Sequence, residues 1–144
     1  LGQVWGPTTR DEAVATVREA IDRGITLLDV APTYGDGEAE RVVGKAFAGR
    51  LPDGVRVVTK HLLGNPPPSE VLTRLERSLD ASLERMGLEF VDLFVLHGYI
   101  VPKQEAGSED RTPRSLFGGA VRPAFERLVS QGRIGALAIT GVAS

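Results

Sequence analysis

Short apolar runs of β type alternate along this chain with longer segments of helical period, the pattern of repeated βα units that feed one parallel sheet. Residues 1–5 read as a weak first strand. Thr9-Arg10-Asp11-Glu12 is a capping box opening a helix with Val14, Val17 and Ile21 on one face, and Gly24 stops it. Residues 25–30 form a second strand. A loop holding Pro32, Gly35 and Gly37 then leads to a helix with Val42, Val43, Ala46 and Phe47 apolar, closed by Gly49. Residues 55–60 are a third strand. After the stiff Pro66-Pro67-Pro68 segment, Ser69 is expected to cap a long helix carrying Leu72, Leu75, Leu79, Leu83 and Met86, with Gly87 as its stop. Residues 90–97 make a fourth strand. The next helix, with Val121, Phe125, Leu128 and Val129, is expected only after about twenty polar, Gly- and Pro-bearing residues, a length typical of functional or moving loops. Gly132 ends it, residues 134–139 form a fifth strand, and residues 140–144 begin another loop.

No linker divides the 144 residues, so residues 1–144 read as a single α/β domain. That length supports one core but falls about a hundred residues short of a complete eight-stranded barrel. With 42% hydrophobic and 25% charged residues the composition is that of a folded globular protein and rules out whole-chain disorder. Seventeen basic against nineteen acidic side chains give a net charge of −2 without runs of one sign, so nucleic acid and anionic membranes have no electrostatic footprint to bind. No apolar stretch approaches a membrane span and no signal-peptide pattern opens the chain. Zero cysteines exclude a disulfide scaffold and a thiolate site, which agrees with a cytoplasmic location. The chain starts at Leu1 and not Met, so an earlier piece is expected.

In parallel α/β folds chemistry gathers at the carboxyl ends of the strands. Strand two ends at Asp29, strand three at Lys60 and strand four at His97, with Tyr34 in the loop after strand two. Those residue types together suit proton transfer to an oxygen. An ammonium favours the anion of a neighbouring phenol, a carboxylate holds the ammonium, and a neutral imidazole can orient a carbonyl by a hydrogen bond. Fourteen of the seventeen cations are Arg, and the Lys at a strand end fits a tight pocket better than a forked guanidinium would.

At these residues the chain resembles the aldo-keto reductases. The match runs through Gly24-Ile-Thr-Leu-Leu-Asp-Val-Ala-Pro-Thr-Tyr-Gly-Asp-Gly-Glu-Ala-Glu40, Val43-Gly44, Val57-Val58-Thr59-Lys60 and Leu83-Glu-Arg-Met-Gly-Leu-Glu-Phe-Val-Asp-Leu-Phe-Val-Leu-His97, and ends at Gly132-Arg-Ile-Gly-Ala-Leu-Ala-Ile-Thr140. The resemblance implies a parallel (β/α) TIM-type barrel, of which these residues cover about five strands of eight. It implies a metal-free oxidoreductase that moves hydride between NADP(H), or NAD(H), and an aldehyde, a ketone or a sugar lactol, giving the alcohol or lactone. Tyr34 would be the general acid/base, Lys60 the charge that tunes it, Asp29 the partner of Lys60, and His97 the carbonyl-orienting group. Asp29 and Thr140 would also touch the cofactor. Two departures stand out: Val30 replaces the common Thr after the Asp, and Thr140-Gly141 replaces a Ser-Asn pair that holds the carboxamide. Together with the long loop after His97 they point toward the sugar and aldose dehydrogenase branch. The alternative is a non-catalytic regulatory or binding module on the same scaffold. In the family the adenosine end is gripped by loops after strands seven and eight. The isolated chain is therefore expected to be inactive and to need the remainder of the barrel, or self-association, to cover its open sheet edges.

Blander readings compete at several positions. Asp29 alone could cap a turn, and a His61–His97 pair could suggest a metal, but neither carboxylate spacing nor an HExxH helix supports the latter. Asp92, inside a strand, reads as a structural hydrogen-bonder and Gly35-Asp36-Gly37 as a turn. Arg111, Arg114 and Arg122 read as solvated cations of the long loop, placed above the mouth.

Overall fold

A computed structural model describes residues 8–103 and 109–140, so the expected strand at 1–5 and Gly141 lie outside the described residues. Helix α1 (Arg10–Asp22) starts as the sequence predicts. The Thr9 hydroxyl accepts from the Glu12 amide at 3.2 Å while the Thr9 amide donates to the Glu12 carboxylate at 2.8 Å. At the other end Gly24 is left-handed (φ 94°), its amide donates to the Ile21 carbonyl, and the Ile25 amide reaches back to the Ala20 carbonyl. That wrap consumes Ile25, so β1 is Leu27–Asp29 and not residues 25–30.

The chain continues through α2 (Glu38–Phe47), β2 (Arg56–His61), α3 (Val71–Met86), β3 (Val91–His97), β4 (Tyr99–Val101), β5 (Arg111–Pro113), α4 (Arg114–Leu116), a π-helical turn (Phe117–Val121), α5 (Arg122–Ser130) and β6 (Ile134–Thr140). Strands β1-β2-β3-β6 lie side by side in that order, every pair parallel. Leu27 on β1 and Ile139 on β6, the two flanks of this sheet, are 50% and 47% exposed. Among the described residues no helix is long and apolar enough to cross a membrane.

Three sequence expectations are corrected. Ser69 caps nothing: it sits inside a 3₁₀ turn (Pro68–Glu70), and Glu70 precedes α3 without a side-chain cap. The Pro66-Pro67-Pro68 run explains this, because fixed proline φ angles start the turn before Ser69 can reach an N-cap geometry. Helix α2 ends on Ala48, which itself takes the left-handed conformation (φ 50°), one residue before Gly49. The long loop after His97 is not structureless up to Val121. It contains the parallel β4–β5 pair, and helix begins at Arg114, with the π-helical turn inserted where Pro123 lacks the amide that would have bonded to the preceding turn.

Helices cover one face of the sheet. Val42 on α2, Leu75, Leu79 and Met86 on α3, and Phe125 and Leu128 on α5 are fully buried, and Phe125 meets Phe94 of β3 with ring centroids 5.3 Å apart. Helices α2 and α3 touch where Gly44 faces the end of α3. A Cβ there would lie 2.5 Å from the Arg85 carbonyl oxygen. Gly44→Ala should therefore destabilise the chain by about 1–3 kcal/mol despite alanine's better helix propensity, because overpacking outweighs it. Urea unfolding of the two proteins checks this, and a stabilised alanine variant would contradict it.

Candidate active site

Because the strands are parallel, their carboxyl ends share one side, and Asp29, Lys60, His97 and Thr140 stand at or next to those ends. His97 and Thr140 are partners in register. Tyr34 joins them through a tight loop. Gly35, Asp36 and Gly37 are all left-handed (φ 65°, 52° and 78°), which turns the backbone sharply behind the tyrosine, and the Ala39 amide at the start of α2 donates to the Tyr34 carbonyl at 3.2 Å. Only glycine takes two of those three positions without cost.

Lys60 is the centre of the arrangement. Its side chain is 4% exposed, and its three donors have three acceptors: the Asp29 carboxylate, the Val30 carbonyl at 3.2 Å and the Tyr34 hydroxyl at 3.1 Å. The ammonium also lies 4.6 Å from the centre of the Tyr34 ring. Burying a cation costs several kcal/mol, and here the carboxylate and two further oxygens offset that cost. Asp29 itself is 60% exposed, so the ion pair opens toward solvent on one side. His97 meets the Tyr34 ring edge-on, with centroids 6.4 Å apart and planes at 90°. Burial holds the His97 pKa below its ordinary value, the Lys60 charge adds to the effect and Asp29 opposes it, so near neutral pH the ring is an uncharged N–H donor. The tyrosine hydroxyl is thus set beside a fixed cation, with a neutral imidazole next to its ring.

Other singled-out residues fall elsewhere. His61 follows Lys60, and strand alternation sends it to the helix side, where it lines a cavity of about 360 Å³ with Arg74, Arg77 and Arg85. Among the described residues no three metal-binding side chains come together. Asp92 accepts the Val57 amide at 2.9 Å and ties β3 to β2. Arg122 lies on α5, paired with Glu126, rather than in a loop; Arg114 opens α4 and Arg111 is half-buried in β5.

Burial, with a contribution from Arg74, lowers the His61 pKa from 6.5 to about 4. The folded chain therefore resists a proton that the unfolded chain accepts. His61 supports stability fully above about pH 6.5, and that support is lost as pH falls through 6.5 toward 4, up to on the order of 3 kcal/mol. Urea unfolding across this window should show His61→Gln with a flatter acid limb than the parent, and superimposable limbs would refute the assignment.

Residues 1–143 match the sequence profile of the Aldo/keto reductase family. The chain belongs to the aldo-keto reductases. It is 34% identical to the L-galactose dehydrogenase of Arabidopsis thaliana over 99% of its own length and 42% of that protein's. It is 39% identical to a methylglyoxal reductase of Escherichia coli over 61% of its length and 29% of that protein's. Among solved structures, an aldo-keto reductase of Klebsiella pneumoniae in complex with NADPH superposes with a TM-score of 0.68 at 30% identity, covering 94% of this chain and 41% of that one. The chain thus spans well under half the length of these relatives, and its parallel sheet with flanking helices is part of an aldo-keto reductase α/β barrel.

Proposed function

We propose that these residues carry the proton-transfer centre of an NADP(H)-dependent oxidoreductase that interconverts an aldehyde or ketone, or a sugar lactol, with the alcohol or lactone. The observation that carries the reading is the shared ammonium of Lys60, bonded at once to Asp29 and to the Tyr34 hydroxyl. The names of the relatives and the NADPH complex of the Klebsiella protein support it.

The chemistry follows from the side chains. NADPH, when bound, supplies a hydride to the carbonyl carbon. As that carbon saturates, the carbonyl π pair moves onto oxygen, and Tyr34 gives this oxygen its proton. Lys60 stabilises the negative charge left on the phenol oxygen, and Asp29 holds the Lys60 ammonium in place. His97, neutral, donates a hydrogen bond that orients the carbonyl. In the reverse direction the same groups remove the alcohol proton. The partly open Asp29 and the half-buried Thr140 offer a carboxylate and a hydroxyl at the mouth. Those groups fit hydroxyl and amide partners, so they would hold the nicotinamide end of the cofactor.

The test is turnover by the protein of the full open reading frame: NADPH oxidation with simple aldehydes and methylglyoxal, and NADP⁺ reduction with sugar lactols. Activity with either class supports the reading, and NADPH binding without any turnover would sink it. The 144 residues alone are expected to bind NADPH weakly and to turn over little, since the solved relative that binds it is more than twice as long.

A further inference from the structure

One buried ionisable group has no part in the chemistry above. Glu40, in the first turn of α2, is completely buried, the one acidic side chain so placed among the described residues. Its Oε1 accepts from the Thr59 hydroxyl at 2.6 Å, and its Oε2 accepts from Arg85 Nε at 2.5 Å. Arg85, on α3, also donates to the hydroxyl of buried Ser82 at 3.2 Å. A carboxylate in this position is an expensive way to join two helices and a strand, because apolar side chains of the same volume would hold them at least as firmly. What an apolar residue cannot supply is a bond of fixed length to one particular atom.

That bond closes a circuit. From the Tyr34 carbonyl a backbone hydrogen bond runs to the Ala39 amide, and Ala39 precedes Glu40. Glu40 grips Thr59, which is also fully buried and precedes Lys60. Lys60 then returns to the Tyr34 hydroxyl at 3.1 Å. Strand alternation makes the link work, because Thr59 faces the helices while Lys60 faces the mouth, so fixing the first sets the position of the second. We infer that Glu40 is a positioning residue, whose hydrogen bond from Thr59 sets the placement of the Lys60 ammonium against the Tyr34 hydroxyl. Arg85, half-buried behind it, pairs with the other carboxylate oxygen and so holds Glu40 in place.

The inference rests on the proton-transfer reading of Tyr34 and Lys60, and the experiment separates the two. Thr59→Val keeps the β-branched shape and removes only the hydroxyl, whereas Glu40→Ala empties a core position and risks the fold. Thr59→Ser restores the hydroxyl. In the full-length protein, Thr59→Val should lower kcat roughly ten- to a hundredfold, as expected for a displacement within about 1 Å, with KM for the aldehyde unchanged, and Thr59→Ser should recover most of the loss. A purely structural bond would lower the melting temperature and leave kcat of the folded protein alone, so a wild-type kcat in Thr59→Val overturns the inference. A second readout needs no activity. In the full-length protein a ¹³Cζ-tyrosine label, with the Tyr34 resonance assigned by its loss in Tyr34→Phe, reports on the phenol directly. That resonance should move in Thr59→Val and return in Thr59→Ser. If the parent protein shows no turnover, the catalytic reading has failed, and an unmoved Tyr34 resonance would overturn the positioning role on its own.

Discussion

Replacing Tyr34 by phenylalanine in the full-length protein should lower kcat more than a hundredfold and leave NADPH affinity nearly unchanged. Proton donation by a positioned side chain contributes about 10²–10⁴-fold, and the substitution removes only the atom that does it. The ring packs against the core beside Lys60 and His97, contacts that phenylalanine keeps, so the fold has little to lose. The hydroxyl's one hydrogen bond among the described residues comes from Lys60, whose ammonium retains Asp29 and the Val30 carbonyl. Steady-state kinetics with an aldehyde, together with NADPH fluorescence titration, test this. Turnover close to the parent's would remove Tyr34 from the mechanism, and a large loss of cofactor affinity would show that its role had been misassigned.

Lys60→Met should be nearly as damaging to turnover, again by about a hundredfold or more, while costing little stability. Breaking a buried ion pair commonly costs about 3–5 kcal/mol because a charge is left stranded in the interior. Here the stranded partner would be Asp29, which is 60% exposed and can be hydrated, so the penalty should fall well below that range. Methionine fills nearly the same volume with a flexible apolar chain. The rate, by contrast, loses the cation that steadies negative charge on the phenol oxygen and the donor that fixes where that oxygen sits. Thermal melting and kcat measured side by side decide the matter. A variant that melts far below the parent would place Lys60 among the supports of the fold, and one with unimpaired kcat would end its proposed role.

Much of this was legible in the sequence for a physical reason: the residues in question act through period and through ends. The capping box at Thr9, the apolar stripe from Leu72 to Met86 and the stop at Gly87 are local signals, and the structure keeps them. Asp29, Lys60 and His97 could be placed together because parallel strands must deliver their last residues to one side. The misses arose where a neighbour's geometry overrode a residue's own preference. Ile25 was drawn into a helix end by Gly24, Ser69 lost its cap to three preceding prolines, and the left-handed turn expected at Gly49 (φ 80°) begins one residue earlier, on Ala48. The helix running back to Arg114 was hidden because Gly118 and Gly119 read as loop residues, yet a π-helical turn absorbs them. Glu40 and Thr59 were part of the motif but had no visible role, since nothing in the spacing of two polar residues nineteen apart says that a strand will carry one to the other.

The strand order has a consequence for how the chain acquires its chemistry. Each strand of the described four-stranded sheet lies beside the one made before it, with only the small β4–β5 pair intervening ahead of β6. Pairing can therefore follow synthesis. At about 5–20 residues per second, the stretch between β2 and β3 takes on the order of seconds to emerge, far longer than a helix or a short loop needs to form. Asp29, Tyr34 and Lys60 all lie upstream of that stretch, on β1, β2 and the segment joining them. The ammonium, the carboxylate and the phenol can thus find one another before β3 has emerged from the ribosome, and His97 arrives at a centre whose charges are already paired.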